Sequence, residues 1–284
     1  MKLLTEMDGR IRVITEKRFD MNRNASGFSR RRFIRYFSLM AGGGLLGLLN
    51  VSKGLAAESA RHRYHQSPKI ALIVDDIGYS RSLAWQFTAL NEILTFSILP
   101  HVSYSQELAF ELNNQGYEVM LHQPMEPYNN CYDPGPGALF VGDNAQRIEK
   151  TLQTNMQSIP FAKGVNNHMG SKFTSSPNEI GNALKVIRSR GMFFVDSYTS
   201  SHSLAHATAR RYHMLTAHRN VFLDNVRQEA AIMSQLVNLQ KHAMLYGRAI
   251  GIGHPFPETA RAIGRFAERL KRSNVSLVPV SEIL

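Results

Sequence analysis

Ile70-Ala71-Leu72-Ile73-Val74-Asp75-Asp76 is an unbroken apolar run that ends on two adjacent carboxylates. Six further runs share the form: Leu94–His101, Glu118–His122, Val165–His168, Met192–Asp196, Val221–Asp224 and Ala249–His254. Short, continuous apolar runs are the mark of parallel strands buried on both faces. Segments with helical periodicity separate most of them, at Ser80–Leu90, Tyr104–Gln115, Asn144–Ser158, Pro177–Arg190, Ser201–Arg211, Glu229–Tyr246 and Thr259–Arg272, and Val275–Val280 reads as a last strand. Ser80, Asn144 and Ser176-Pro177 are helix-start signals, and Gly116 and Gly191 are helix stops. The alternation predicts a single-domain β/α barrel over 68–284. Polar groups at the C-terminal ends of its strands would then gather at one mouth.

The 284 residues carry a formal net charge of +11, with a disproportionate share in the first 65. The remainder lacks the dense Lys/Arg stripe of a nucleic-acid binder, so no nucleic-acid partner is expected. Ser29-Arg30-Arg31-Arg32-Phe33-Ile34-Arg35 matches a twin-arginine export signal, followed by a Gly-rich apolar stretch (36–49) and small residues at Gly54, Ala56 and Ala57. Residues 1–57 are therefore expected to be an n-region and signal peptide carrying Arg30 and Arg31, and 58–67 a flexible leader. A periplasmic or otherwise exported location follows, with export machinery of the twin-arginine type as a partner and no stable membrane span after cleavage. The other reading of the same residues is a basic tail before an uncleaved membrane anchor. Cys131 is the single cysteine, so thiolate-rich zinc sites are excluded and any metal must be held by His and carboxylate.

Adjacent carboxylates repel, and a cation bound by one while the other serves as a base resolves the conflict. A helix cap is the simpler alternative for one of the two. His122, in Leu121-His122-Gln123-Pro124-Met125-Glu126-Pro127, is placed by its strand, and Glu126 is placed to orient a ligand His. His168 ends Val165-Asn166-Asn167-His168, and Ser171 lies just beyond. Packing gives no reason for Asn166-Asn167-His168 at a strand end, whereas metal or substrate binding does. Asp196 reads either as a helix cap or as a residue that orients a catalytic His. His254, in Gly253-His254-Pro255, suits a general acid for a departing amine.

Val74-Asp75-Asp76-Ile77-Gly78, Leu121-His122-Gln123-Pro124-Met125-Glu126-Pro127, Asn166-Asn167-His168-Met169-Gly170-Ser171 and Gly253-His254-Pro255 together resemble the divergent polysaccharide deacetylases, a branch of the NodB-like carbohydrate esterases. The resemblance spans about residues 68–284. It implies an irregular NodB-like β/α barrel and a divalent metal, usually zinc, held by one Asp and two His. It also implies hydrolysis of N-acetyl groups on an envelope glycan, with Asp75 as base, Asp76, His122 and His168 as ligands, His254 as acid, and Asp196 as the carboxylate that tunes a catalytic residue. Asn166, Asn167, Ser171 and Glu126 fall to substrate binding or ligand support. The chain departs from the better-known members at Glu126, where an H-x-x-x-H motif would carry its second His. Two other functions remain open on the sequence: a non-catalytic glycan-binding or scaffold protein, and a hydrolase of another amide or ester.

Overall fold

The structure is a computed structural model that describes residues 67–284; the expected signal peptide and nearly all of the expected leader lie outside them. Nine strands occur in chain order: β1 (Lys69–Ile77), β2 (Thr95–Ile98), β3 (Glu118–Met125), β4 (Gly164–Met169), β5 (Phe193–Asp196), β6 (Thr216–His218), β7 (Val221–Phe222), β8 (Arg248–Gly253) and β9 (Ser276–Leu277). Seven helices accompany them: α1 (Arg81–Thr88), α2 (Ser105–Asn114), α3 (Ala145–Ser158), α4 (Pro177–Ser189), α5 (Ala205–Arg211), α6 (Glu229–Tyr246) and α7 (Pro257–Leu270). The strands form one parallel, curled sheet in the order β6-β5-β4-β3-β2-β1-β8-β7, with β9 added to the start of β1. No ladder joins β6 to β7, so the barrel is irregular and open at that seam.

The helices form where the sequence supplies their ends. The Ser80 hydroxyl accepts from the Leu83 amide at 3.4 Å, and the Asn144 side chain accepts from Arg147 at 2.9 Å. Pro177 and Pro257 open α4 and α7, where a missing N–H costs nothing. Gly247 closes α6 with φ of +84°, a left-handed value that glycine adopts without strain. No helix among the described residues is long and apolar enough to cross a membrane.

Period-2 alternation sorts the strand side chains. Ile70, Leu72, Val74, Val119, Leu121, Val165, Phe194 and Ala249 pack outward under the helices. Ala71, Ile73, Met120, Phe193, Val195, Ile250 and Ile252 point inward and form a separate inner core. Gly164 makes room for that core, since a Cβ there would fall 2.1–2.5 Å from the Phe193 ring. The chain terminus fills the barrel floor. Val278, Val280 and Ile283 join the inner core, and the amides of Val280 and Ser281 donate to Thr95 Oγ1 and Glu118 Oε1. The expected strand Val275–Val280 is thus a two-residue strand running into a plug.

Candidate metal centre

Two residues further along each strand, the inward row turns polar. Asp75 follows Ile73, His122 follows Met120, and His254 follows Ile252, while Asn166 and His168 share the inward side of β4, opposite Val165. Adjacent strand residues normally face opposite ways, so Asp75 and Asp76 could not both reach the mouth from a regular strand. A register shift between Val74 and Ile77, and φ of +56° at Asp76, turn the second carboxylate inward as well. A non-glycine residue there is uncommon, and Asp is among those that tolerate it. Such strain gathers at functional sites.

Three donor atoms converge. His168 Nδ1 lies 2.9 Å and His122 Nε2 3.1 Å from Asp76 Oδ1, and the two nitrogens are 3.2 Å apart. Adjacent donors on one zinc-sized ion, with bonds of about 2.0–2.1 Å, are spaced by roughly 3 Å. Asp76 Oδ1 is buried and has no hydrogen-bond partner among the described residues, an unmet acceptor that a cation would satisfy. Among the described residues, these three are the group that could hold a metal.

Asn166 sets the orientation of the group. Its Oδ1 lies 2.8 Å from His122 Nδ1 and accepts from the Ser97 hydroxyl at 2.5 Å, while its Nδ2 donates to Asp75 Oδ1 at 2.8 Å. With that arrangement His122 Nδ1 carries the proton and the Nε2 lone pair faces Asp76. Burial works against the charged form of Asp76, but His122 and His168 outweigh it and hold the carboxyl well below its usual range. Burial likewise lowers His122, yet Asp75 and Asp76 prevail and push it up to about 9.

Asp75 is buried beside the triad, its Oδ1 3.7 Å from His122 Nδ1. Burial drives its pKa upward, against the pull of His122, His254 and Asn166. Opposite, His254 Nδ1 lies 2.9 Å from Asp224 Oδ1, and the His254 amide donates to Asp224 Oδ2 at 2.6 Å. The Thr259 hydroxyl donates to that same oxygen at 2.8 Å. Gly253 keeps the corner open, because a Cβ there would lie 3.0 Å from Thr259 and 3.2 Å from Asp224. His254 Nε2 is left facing the pocket, 3.9 Å from Asp76 Oδ2. Burial lowers His254, but the Asp224 hydrogen bond and the charges of Asp76, Asp224 and Asp75 raise it overall. The half-buried Arg219 donates to the carbonyls of Ser197 and Tyr198 at 2.6 and 3.0 Å, and feels the charge of Asp75.

The structure brings Asp75, Asp76, His122, Asn166, His168 and His254 together. It uses the other candidates elsewhere. Asp196 has the outward parity of Phe194, and its carboxylate accepts from the amides of Tyr198 and His206 and from the Ser203 hydroxyl. Asp224, not Asp196, therefore holds His254. Glu126 does not orient a ligand; it takes the Lys172 ammonium at 2.6 Å and the Val141 amide at 2.7 Å, fastening the loop after β3. Asn167 bonds the Met169 carbonyl and the Ser197 amide, and Ser171 accepts from the Tyr128 amide, so both brace loops at the mouth. Cys131 is exposed in the loop after β3, and Arg30 and Arg31 lie outside the described residues. Sequence reasoning passed over Ser97, Arg219 and Asp224; only Asp224 carried a signal, as the end of an apolar run.

The chain belongs to the divergent polysaccharide deacetylase family, whose family model matches residues 72–284. It is 30% identical over 216 residues to the uncharacterized protein YibQ of Escherichia coli, covering 76% of this chain and 67% of that one. An uncharacterized protein of Haemophilus influenzae is 29% identical over 191 residues, or 67% and 68% of the two chains. Among solved structures, an uncharacterized protein from Agrobacterium tumefaciens superposes with a TM-score of 0.73 at 26% identity, covering 77% of this chain and 90% of that one.

Proposed function

We propose that the protein is a metal-dependent hydrolase that removes N-acetyl groups from an envelope polysaccharide. The observation that carries this reading is the Asp76–His122–His168 donor triangle, with edges of 2.9–3.2 Å, set between a buried carboxylate and a carboxylate-held imidazole. Zinc suits the two imidazoles and one carboxylate. A divalent ion held there supplies Lewis acidity, polarising an acyl oxygen and making water more acidic.

The chain's own groups divide the proton transfers. Asp75, raised by burial, accepts the proton of the attacking water. His254, its pKa raised by Asp224 against the effect of burial, is placed to give a proton to the departing amine as the C–N bond breaks. The products are acetate and a free sugar amine. Asp224 fixes the imidazole and stabilises its charged form, the part that a third residue plays in other acid–base sites. Tyr79, Tyr128, Tyr132 and Tyr198 are exposed on the loops that follow β1, β3 and β5, where flat aromatic faces suit a sugar chain.

The twin-arginine pattern at Arg30 and Arg31 supports a cleaved signal over 1–57, a leader over 58–67, export by the twin-arginine machinery and a periplasmic N-acetylated glycan as partner. The test is acetate release from N-acetylated oligosaccharides by the zinc-loaded chain, beside Asp75→Asn. Release that is lost in the variant supports the reading. Glycan binding without release, unchanged in Asp75→Asn, would make the protein a binding or scaffold member of its family.

A further inference from the structure

In a parallel β/α barrel every connection from helix to strand lies on the face opposite the strand C-termini. Here that face holds the residues entering β4, β5, β6 and β8. On it Lys163, Arg188, Arg190, Arg210, Arg211 and Arg248 are exposed, and none is paired with a carboxylate among the described residues. The only carboxylates in the stretch 161–223 are Glu179 and Asp196. Both sit at the other end of the fold: Glu179 in the first turn of α4 and Asp196 at the end of β5.

Exposed apolar side chains share this face. Phe161 (47% exposed), Leu215 (65%), Leu245 (73%) and Tyr246 (67%) lie in or beside the same connections. A cavity of about 190 Å³ is lined by Thr216 from one side of the open seam and by Tyr246 and Arg248 from the other, and α4 packs on α5. Large apolar groups interleaved with unpaired cations are the composition of a surface that lies on an anionic bilayer.

The described chain begins at the same place. The Lys69 amide donates to the Gly247 carbonyl at 3.0 Å, and Lys69 pairs with Arg248. The described residues therefore enter the barrel on this face. We propose that this face is a peripheral docking surface for an anionic phospholipid membrane, with the metal-centre mouth turned away from the lipid. It does not depend on hydrolytic activity.

The test is co-sedimentation of residues 58–284, the chain left after the proposed signal cleavage, with vesicles of phosphatidylglycerol and phosphatidylethanolamine, against phosphatidylcholine vesicles. The comparison is wild type, R188E/R210E/R211E, and R147E/K150E/R265E, which makes the same charge change on other surfaces; a thermal melt of each verifies folding. The expected result is preference for the anionic vesicles, weakened at least about tenfold in the first variant and by high salt, and kept in the second. A Leu215→Trp variant should also show a blue-shifted emission on the anionic vesicles. Equal binding by all three proteins, equal loss in both variants, or self-association through this face without vesicle binding would overturn the proposal.

Discussion

Asp224 grips His254 twice, with Oδ1 2.9 Å from the ring Nδ1 and Oδ2 2.6 Å from the backbone nitrogen. One carboxylate thereby fixes both the rotation of the imidazole and the strand end that carries it. The β7–β8 register, with Phe222 opposite Ile252, puts Asp224 two residues on, level with His254.

Asp224→Asn should leave metal binding unchanged and lower the rate by about 10²–10³-fold at mildly alkaline pH, the range for loss of a positioned acid. Because Asp224 raises His254, the variant's imidazole loses its proton at lower pH, so the alkaline limb of the rate profile should move down. A pH–rate series on both proteins checks this. An unmoved alkaline limb would remove His254 from the role of acid.

Asn166→Ala should weaken metal affinity by about 10–100-fold, since it frees the His122 tautomer that Asn166 Oδ1 fixes. Calorimetric titration with zinc gives the number. Asn166→Asp should recover much of the loss, because a carboxylate still accepts the Nδ1 proton.

Metal affinity should depend on pH in a defined direction. His122 in the metal-free protein is pushed up to about 9, so it holds a proton at neutral pH that the metal must displace. Apparent affinity should rise about tenfold per pH unit from near neutrality and level off above pH 9. Asp76, held low, is already ionised and adds no slope. Proton release on binding, read as buffer-dependent heat, is the independent check.

Gly164→Ala should destabilise the fold by about 1–3 kcal/mol, as overpacking does, because its Cβ would overlap the Phe193 ring. Urea unfolding of Gly164→Ala, Phe193→Leu and the double variant should show the pair to be non-additive, with the double variant regaining part of the loss.

The sequence made β1, β3, β4 and β8 legible because each is an apolar run ending in a polar group, and the helices because their caps are spelled out. Strand β6 escaped, since Thr216–His218 is short, partly exposed and has no period to read. The site was legible in type but not in pairing. Asp196 and Asp224 end similar runs, and only strand parity turns one toward the helices and the other toward His254. Likewise, the Asn166 contact with His122 depends on a β3–β4 register that places the two opposite each other. A single sequence carries neither register.

The central claim is that Asp76, His122 and His168 hold one divalent metal, and the measurement that tests it is metal content after zinc loading and desalting. The account predicts about one zinc per wild-type chain, lost in both His122→Ala and His168→Ala while each variant keeps its fold by circular dichroism. A wild-type chain that retains no zinc, manganese, cobalt or nickel, or variants that retain as much zinc as wild type, would contradict it.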